Sequence, residues 1–429
     1  MTAPVSLPPP RAFLLDLFHA ALAAADPART LAAHLPPRPK GRTVVVGAGK
    51  AAAAMAAALE ACWDGPLSGL VICPYGYGLP TGRIAVAEAG HPVPDAAGFR
   101  AATRMLAQLE GLGAEDLVIA LISGGGSALM ALPAPGLTLD DKQAVTRGLL
   151  LSGASIAEIN CLRKHLSAVK GGRLALAAWP APIHALVVSD VPGDDPAVIA
   201  SGPTVADPTT AREALEIVRK YRLDIPFAVI QFLKRQTEDT PKAGDPRLAR
   251  SSLAIITRPA ESLLAAAEAA RRAGVTPVVL GDAIEGESRE VARALAGMAL
   301  SAARLGLPAA PPCVLLSGGE TTVTVRGRGQ GGPNGEFALA LALALKGRNN
   351  ISAIACDTDG MDGASGAAGA LVLPDSLERA RAKGIDVAAL LAQNDSSGLF
   401  APLGDLVQTG PTRTNVNDFR AIFIAEPTQ

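Results

Sequence analysis

Short apolar runs stopped by glycine, serine or proline alternate along the chain with longer stretches in which apolar residues recur at helical spacing. The runs at 43–46, 69–73, 84–88, 117–122 and 184–189 read as buried strands, and helical stretches at 50–61, 97–110 and 140–152 fall between several of them. That alternation predicts an α/β fold with a mainly parallel sheet. A polar segment from Lys234 to Pro246 interrupts it and is the best linker candidate, which predicts domains at 1–235 and 236–429. The pattern then restarts with Leu253–Thr257, a helix over 260–273, Thr276–Gly281, a helix over 286–304 and a strand at 313–317. A hairpin through Thr321–Arg326, a helix over 335–346 and a strand at 351–356 follow, without any fixed-period repeat. Near the start, residues 11–20 read as an amphipathic helix carrying Asp16 rather than as an export signal.

Three of the strands run directly into glycines. Thr43-Val-Val-Val-Gly-Ala-Gly-Lys50, Leu117-Val-Ile-Ala-Leu-Ile-Ser-Gly-Gly-Gly-Ser127 and Pro312-Cys-Val-Leu-Leu-Ser-Gly-Gly-Glu320 share this form. Backbone without Cβ atoms comes close to a ligand, its N–H groups converge, and a following helix adds the positive end of its dipole. Such loops hold anions, and a cleft between two lobes is the expected place. Gly47-Ala-Gly49-Lys50-Ala-Ala also satisfies a relaxed dinucleotide pattern, but the ribose-binding acid expected after the next strand is replaced by Ile72-Cys-Pro-Tyr75. Lys50 therefore reads as an anion ligand, against the alternative of an exposed lysine at a helix start, where cations are disfavoured. Ser123, Gly124, Gly125, Gly126 and Ser127 read as backbone approaching a substrate, against tight strand–helix packing as the alternative.

In Asn160-Cys-Leu-Arg163-Lys-His-Leu-Ser167-Ala-Val-Lys170-Gly-Gly-Arg173, spacings of three and four predict one helix face bearing Asn160, Arg163, Ser167 and Lys170, read as a ligand-facing stripe against the alternative of a solvated face. His91, in Gly90-His-Pro-Val-Pro-Asp95, either touches substrate or closes a rigid turn. Acids end two strands, in Ser189-Asp190-Val-Pro-Gly193-Asp194-Asp195 and in Asp357-Thr-Asp359-Gly-Met-Asp362-Gly363. Carboxylates so placed suit Mg²⁺ shared with phosphate oxygens, while the second run lacks the spacing and closing Glu of an EF-hand calcium loop. Asp- and Gly-rich loops are also ordinary turn formers.

Composition narrows the partner. The chain has 429 residues, 49% of them hydrophobic, and a formal net charge of −1. No global field draws nucleic acid or an anionic membrane, and 3% aromatics provide no base-stacking platform. A small ligand is expected. Five scattered cysteines without CxxC spacing argue against disulfides and zinc and fit a reducing cytoplasm. No P-loop, protein-kinase signature, G-x-S-x-G elbow or His-rich metal motif is present.

Gly47-Ala-Gly-Lys50, Gly90–Asp95, Ser123–Ala128, Asn160–Gly172, Ser189–Asp194, Ser201-Gly-Pro-Thr204, Ser317-Gly-Gly-Glu-Thr-Thr322 and Thr409-Gly-Pro-Thr-Arg-Thr-Asn-Val-Asn-Asp418 occur in an order that resembles the class II glycerate 2-kinases, whose C-terminal half is the MOFRL domain. The likeness spans about residues 11 to 420. It implies a Rossmann-like N-terminal lobe, a mixed-sheet MOFRL-type second lobe, and ATP- and Mg²⁺-dependent phosphorylation of D-glycerate at its 2-hydroxyl in the cleft between them. On this reading Lys50, Asp190 and Arg163 are catalytic; the 123–127 loop, Asn160, Lys170 and Arg326 bind substrate. Gly47, Gly49, Gly193, Gly318, Gly319, Thr409, Gly410, Thr412 and Asn415 bind nucleotide, and Asp194, Glu320 and Asp357 reach the metal. An NAD(P)H-dependent hydroxypyruvate reductase and a non-catalytic sugar-acid sensor are the alternatives, and a homodimer is left open. Gly331-Gly-Pro333-Asn-Gly335-Glu336 departs from the family's Gly-Gly-Arg-Asn-Gln-Glu, so a cation used there by relatives is absent or replaced by Arg326 or Arg328. Arg413 stands where glycine is expected.

Overall fold

The computed structural model describes residues 9–235 and 239–426, which fall into two compact units. The first comprises residues 27–256, and the second joins residues up to 26 with those from 257 onward. The boundary expected at 235/236 therefore moves to 256/257. Gln236, Thr237 and Glu238 of the expected linker lie outside the described residues, and the strand that follows them belongs to the first sheet.

In the first unit, β1 (Thr43–Ala48), β2 (Ser68–Pro74), β3 (Ile84–Ala89), β4 (Leu117–Ile122), β5 (Ile183–Val188) and β6 (Ser251–Thr257) form one sheet in the order β3-β2-β1-β4-β5-β6. Every pairing from β3 across to β5 is parallel. Strands buried on both faces need continuous apolar runs, which is how β1 and β4 read. Val44, Val46 and Ala48 of β1 pack with Leu70, Ile72, Val118, Ala120 and Ile122 on one face, against Ala101, Ala102 and Met105 of the helix Ala96–Ala107. Chain order runs one way from β1 to β3 and the other way from β1 to β4. The loops after β1 and β4 thus leave the sheet side by side at its carboxyl edge, the switch point where open α/β sheets bind ligands. Between β4 and β5 stand the helices Leu139–Ser152 and Ile156–His165, each begun by a capping box, Thr138 with Asp141 and Ser155 with Glu158. Val145, Leu149, Leu162 and Leu166 there share a separate apolar cluster with Ala214, Val218, Val229 and Leu233.

The second unit holds a mixed sheet of β7 (Thr276–Gly281), β9 (Cys313–Ser317), β11 (Ile351–Asp357), β12 (Gly369–Val372), β13 (Leu406–Val407) and β14 (Asp418–Ile424), in the order β13-β12-β11-β14-β9-β7. Only β7 and β9 pair in parallel among these strands as described. Alternation along β14 sends Phe419, Ala421 and Phe423 to one face, where Phe13, Leu14, Leu17 and Phe18 of the helix Pro10–Ala24 and Leu263 and Ala267 of the helix Pro259–Arg272 cover them. Ile422 and Ile424 face the helices Ser288–Leu305 and Pro333–Leu345.

Two local expectations change. No hairpin forms at 321–326: β10 (Thr321–Thr322) pairs in parallel with β8 (Gly286–Glu287), and Thr324 turns away to donate from its N–H to the Glu287 carboxylate. The helix carrying Asn160 and Arg163 stops at His165, so Ser167 and Lys170 are not on its face; Ser167 instead bridges to Pro133. Among the described residues no helix is long and apolar enough to cross a membrane.

Candidate active site

The two loops at the switch point are built into each other. Lys50 donates its backbone N–H to the Gly124 carbonyl at 2.8 Å, Ser123 donates to the Ala48 carbonyl at 3.1 Å, and the buried Ser123 Oγ accepts from Ala51 N at 3.0 Å. Gly49, at φ 144°, lies where a Cβ would stand 2.0 Å from Ser123 Oγ. Ser123 therefore acts on the loop rather than offering its side chain to a ligand. Gly125, at φ 80°, begins a short helical turn over Gly126–Leu129, and a Cβ on it would stand 2.9 Å from His91 Nε2 and 3.4 Å from Lys50 Cγ. The missing side chain lets the imidazole and the lysine stem close on the loop.

Beside this loop opens a pocket of about 260 Å³ lined by His91, Gly125, Ser127, Lys142, Arg163 and Lys170, with Pro92, Pro94, Leu139 and Thr146 among its apolar and small walls. Three cations meet here, and among the described residues no carboxylate forms an ion pair with any of them. Lys170 is buried and donates Nζ to the Met130 carbonyl at 2.8 Å, while Lys142 Nζ reaches the Leu132 carbonyl at 3.4 Å. Burial, with Lys142 and Arg163 as neighbours, holds the Lys170 ammonium well below the usual lysine range. Burial and then Arg163 bring Lys142 down to about 8, offset in part by its contact with Lys170. Burial lowers Arg163 as well. A cation cluster of this kind is completed by an anion.

Behind the pocket wall, Ser127 Oγ and Ser201 Oγ lie 2.9 Å apart, and Ser201 donates to Asn160 Oδ1 at 3.2 Å. Asn160 is buried and reaches the pocket only through this chain, so it positions Ser127. Ala200 and Ser201 hold left-handed backbone, φ 49° and 62°, the kind of local strain that persists when surrounding contacts over-determine it. The helix bearing Arg163 is anchored from its far side: Lys164 pairs with Asp207 at 3.1 Å, and His165 Nε2 lies 2.8 Å from Asp239 Oδ1. Burial alone would raise the Asp207 carboxyl, yet Lys164 and Thr209 hold it below the usual carboxylate range. Asp190, Gly193 and Asp194 follow β5 at the same carboxyl edge, with Gly193 and Asp194 at φ 80° and 55°.

Gly47 lies within β1, where a Cβ would stand 2.1 Å from the Leu121 carbonyl, so it serves strand packing; the remaining expected residues belong to the second unit. Gly319, at φ 110°, would bring a Cβ within 2.3 Å of the Ile284 backbone, so this glycine serves loop-on-loop packing. The Gly318 carbonyl accepts from Ile284 N and from the buried Arg420, which also grips Asp418 and Thr321. Glu320 and Arg326 are exposed, and Arg326 donates its backbone N–H to Asn394 Oδ1. Asp357 Oδ1 accepts from Asp359 N and Asp359 Oδ1 from Met361 N, while Asp362 accepts from Asn334 N and Gly335 N. These acids shape turns and a helix start. Thr412 donates its N–H to the Asp359 carbonyl, Asn415 Oδ1 accepts from Asn417 N, and Thr409 Oγ1 donates to the Gly410 carbonyl. Among the described residues no three His, Cys, Asp or Glu side chains form a metal-holding group. Oxygen-only carboxylates used singly nonetheless suit Mg²⁺, which keeps its waters and binds through one or two carboxylates and substrate phosphates.

Lys142 and Thr146 are the site residues that motif reasoning missed. They belong to no glycine motif. Their signal is the face they share with Leu139, a cation at helical spacing among inward-facing residues.

Residues 13–234 match the model of a domain of unknown function, DUF4147, and residues 313–418 match the MOFRL family. A relative from Agrobacterium vitis bearing the provisional name hydroxypyruvate reductase is 55% identical over 96% of this chain and 94% of its own length. The D-glycerate 2-kinase of Thermotoga maritima is 37% identical over 94% of this chain and 96% of its own. The crystal structure of a glycerate kinase from the same organism superposes with a TM-score of 0.87 at 36% identity, covering 97% of this chain and 99% of that one.

Proposed function

Since the chain belongs to the glycerate kinase family that carries a MOFRL domain, and is accordingly an enzyme of the kinase class, we propose that it transfers the γ-phosphoryl group of ATP to the 2-hydroxyl of D-glycerate. The observation that carries this reading is the acid-free cluster of cations beside two glycine loops at the switch point. In phosphoryl transfer the protein mainly positions the reactants and neutralises developing charge. Lys50 and Arg163 hold the carboxylate and the transferring group, and the 123–127 loop turns backbone N–H groups toward them. The glycerate 2-oxygen attacks the γ-phosphorus, its proton passes to the Asp190 carboxylate, and the bond from the γ-phosphorus to the bridging oxygen of ADP breaks. Within the first unit, Gly49 and Gly193 are the nucleotide residues in this reading. Mg²⁺, with Asp194, Glu320 or Asp357 as its protein ligands, would supply further charge neutralisation on the phosphate oxygens.

Reductase chemistry is less well supported by the site. β2 ends in Pro74-Tyr75 without a ribose-binding acid, and the nearby Glu88 is taken by the N–H groups of Gly76 and Gly78. The test is incubation with Mg·ATP and D-glycerate, the product identified by phosphorus NMR, beside NADH with hydroxypyruvate. Formation of 2-phosphoglycerate is expected. Intact ATP with NADH consumed would overturn the reading, and 3-phosphoglycerate would overturn its regiochemistry.

A further inference from the structure

We propose that Lys142 is a substrate-binding residue: with Arg163 and Lys170 it forms the carboxylate end of the acceptor pocket, selecting short hydroxy acids. The proposal rests on the kinase reading only for the identity of the acid. Its grounds are geometric. Lys142 sits in the first turn of the helix Leu139–Ser152, where the helix dipole disfavours a cation, and it faces Arg163 and Lys170. Among the described residues its Nζ reaches only a long contact to the Leu132 carbonyl, 3.4 Å, and lies against the Lys170 amine. The helix is nevertheless held in place, by the Thr138–Asp141 capping box and by Gln143 Nε2 donating to the Pro94 carbonyl at 2.9 Å. That second bond ties the helix to the loop forming the opposite wall, which contributes His91, Pro92 and Pro94. A fixed helix thus aims an amine at two other cations.

The pocket's size chooses among anions. At about 260 Å³ it lies below the usual range for ligand pockets of roughly 300–1,000 Å³, which is narrow for a nucleoside triphosphate and ample for a three-carbon acid. Like-charged neighbours repel strongly in a partly desolvated site, and a carboxylate relieves that repulsion for all three at once. Lys170, held by the Met130 carbonyl, and Arg163, held by its anchored helix, have fixed places; Lys142 contributes the charge from the third side.

The experiment compares wild type with Lys142→Met and Lys142→Arg, reading D-glycerate affinity by isothermal titration calorimetry and steady-state KM for D-glycerate and ATP separately. Lys142→Met removes repulsion from the cluster, so a thermal melt at or above that of wild type checks that it is folded. The expected result is a weakening of D-glycerate binding and a rise in its KM of at least tenfold, KM for ATP within twofold, and recovery in Lys142→Arg. Unchanged D-glycerate affinity in folded Lys142→Met would overturn the proposal, as would wild type that binds no D-glycerate. Wild type that binds D-glycerate and loses it in Lys142→Met, yet transfers no phosphoryl group, would support the carboxylate site while overturning the kinase reading alone.

Discussion

Lys50 is placed by its backbone before its side chain can act: its own N–H is bonded to Gly124, and the next residue's N–H to Ser123 Oγ. Lys50→Ala should therefore leave the loop intact and lower kcat/KM by roughly 10²–10³, the usual cost of removing one preorganised charge from a transition state. Near-normal turnover would remove Lys50 from the mechanism. Gly125→Ala tests a different requirement. Left-handed backbone costs an L-residue about 1–2 kcal/mol, and the methyl group would meet His91 Nε2. A lower melting temperature together with lost activity is expected; an unchanged melt would show that His91 gives way freely. Protonation gives a third prediction. Lys142 sits at about 8 because burial and Arg163 disfavour its charge, with Lys170 and His91 also lining the pocket. An incoming anion raises that value, so D-glycerate binding near pH 8 should take up protons. Calorimetry in buffers of different ionisation enthalpy reads this directly, and buffer-independent heats would contradict it.

The helix Pro333–Leu345 shows how an element absorbs a change in motif. Its first turn carries the residues that depart from the family's pattern. Pro333 occupies a position where no N–H is needed, and Asp362 accepts from the next two N–H groups, of Asn334 and Gly335. A Cβ at Gly335 would stand 2.3 Å from Ser396 Oγ and 3.0 Å from Ser396 Cβ, so a larger residue there displaces the Ser396 side chain at the start of the helix Ser396–Leu403. Glu336 is fixed between Arg289 and Asn394. Burial raises the Asp362 carboxyl to about 7, against the pull of the Asn334 and Gly335 N–H groups and with help from Asp418. The native state then keeps a proton that the unfolded chain releases near pH 4, so stability falls as pH rises between those values. One such group accounts for at most about 1.4 kcal/mol per pH unit. Asp362→Asn should flatten that dependence, read as the urea midpoint for exchange of β14 amides at pH 5 and pH 8. Equal slopes in both proteins would show that Asp362 is charged throughout.

At the scale of the molecule, the N-terminal helix Pro10–Ala24 folds with the unit that begins at Thr257. Phe13, Leu14, Leu17 and Phe18 cover Leu263, Phe419 and Phe423, and Thr414 Oγ1 donates to the Ala25 carbonyl. A chain starting at Pro27 should therefore lose stability in β14 and β11 while β1 and β4 keep their protection, as hydrogen exchange would report. Uniform protection would mean that the helix is dispensable. Buried strands and their stopping glycines were legible in the sequence, because an apolar run ended by glycine is a local pattern that burial and backbone sterics impose on nearby residues. So were the α/β class and two of the cations that line the pocket, Arg163 and Lys170. Tertiary structure alone decided the rest. Strand order brought the loops after β1 and β4 together, β6 moved the boundary to 256/257, and a helix with no motif delivered Lys142 between Arg163 and Lys170. Those outcomes depend on contacts between residues far apart in the chain, where the energy of packing and of clustered charge is set by neighbours that no local pattern names.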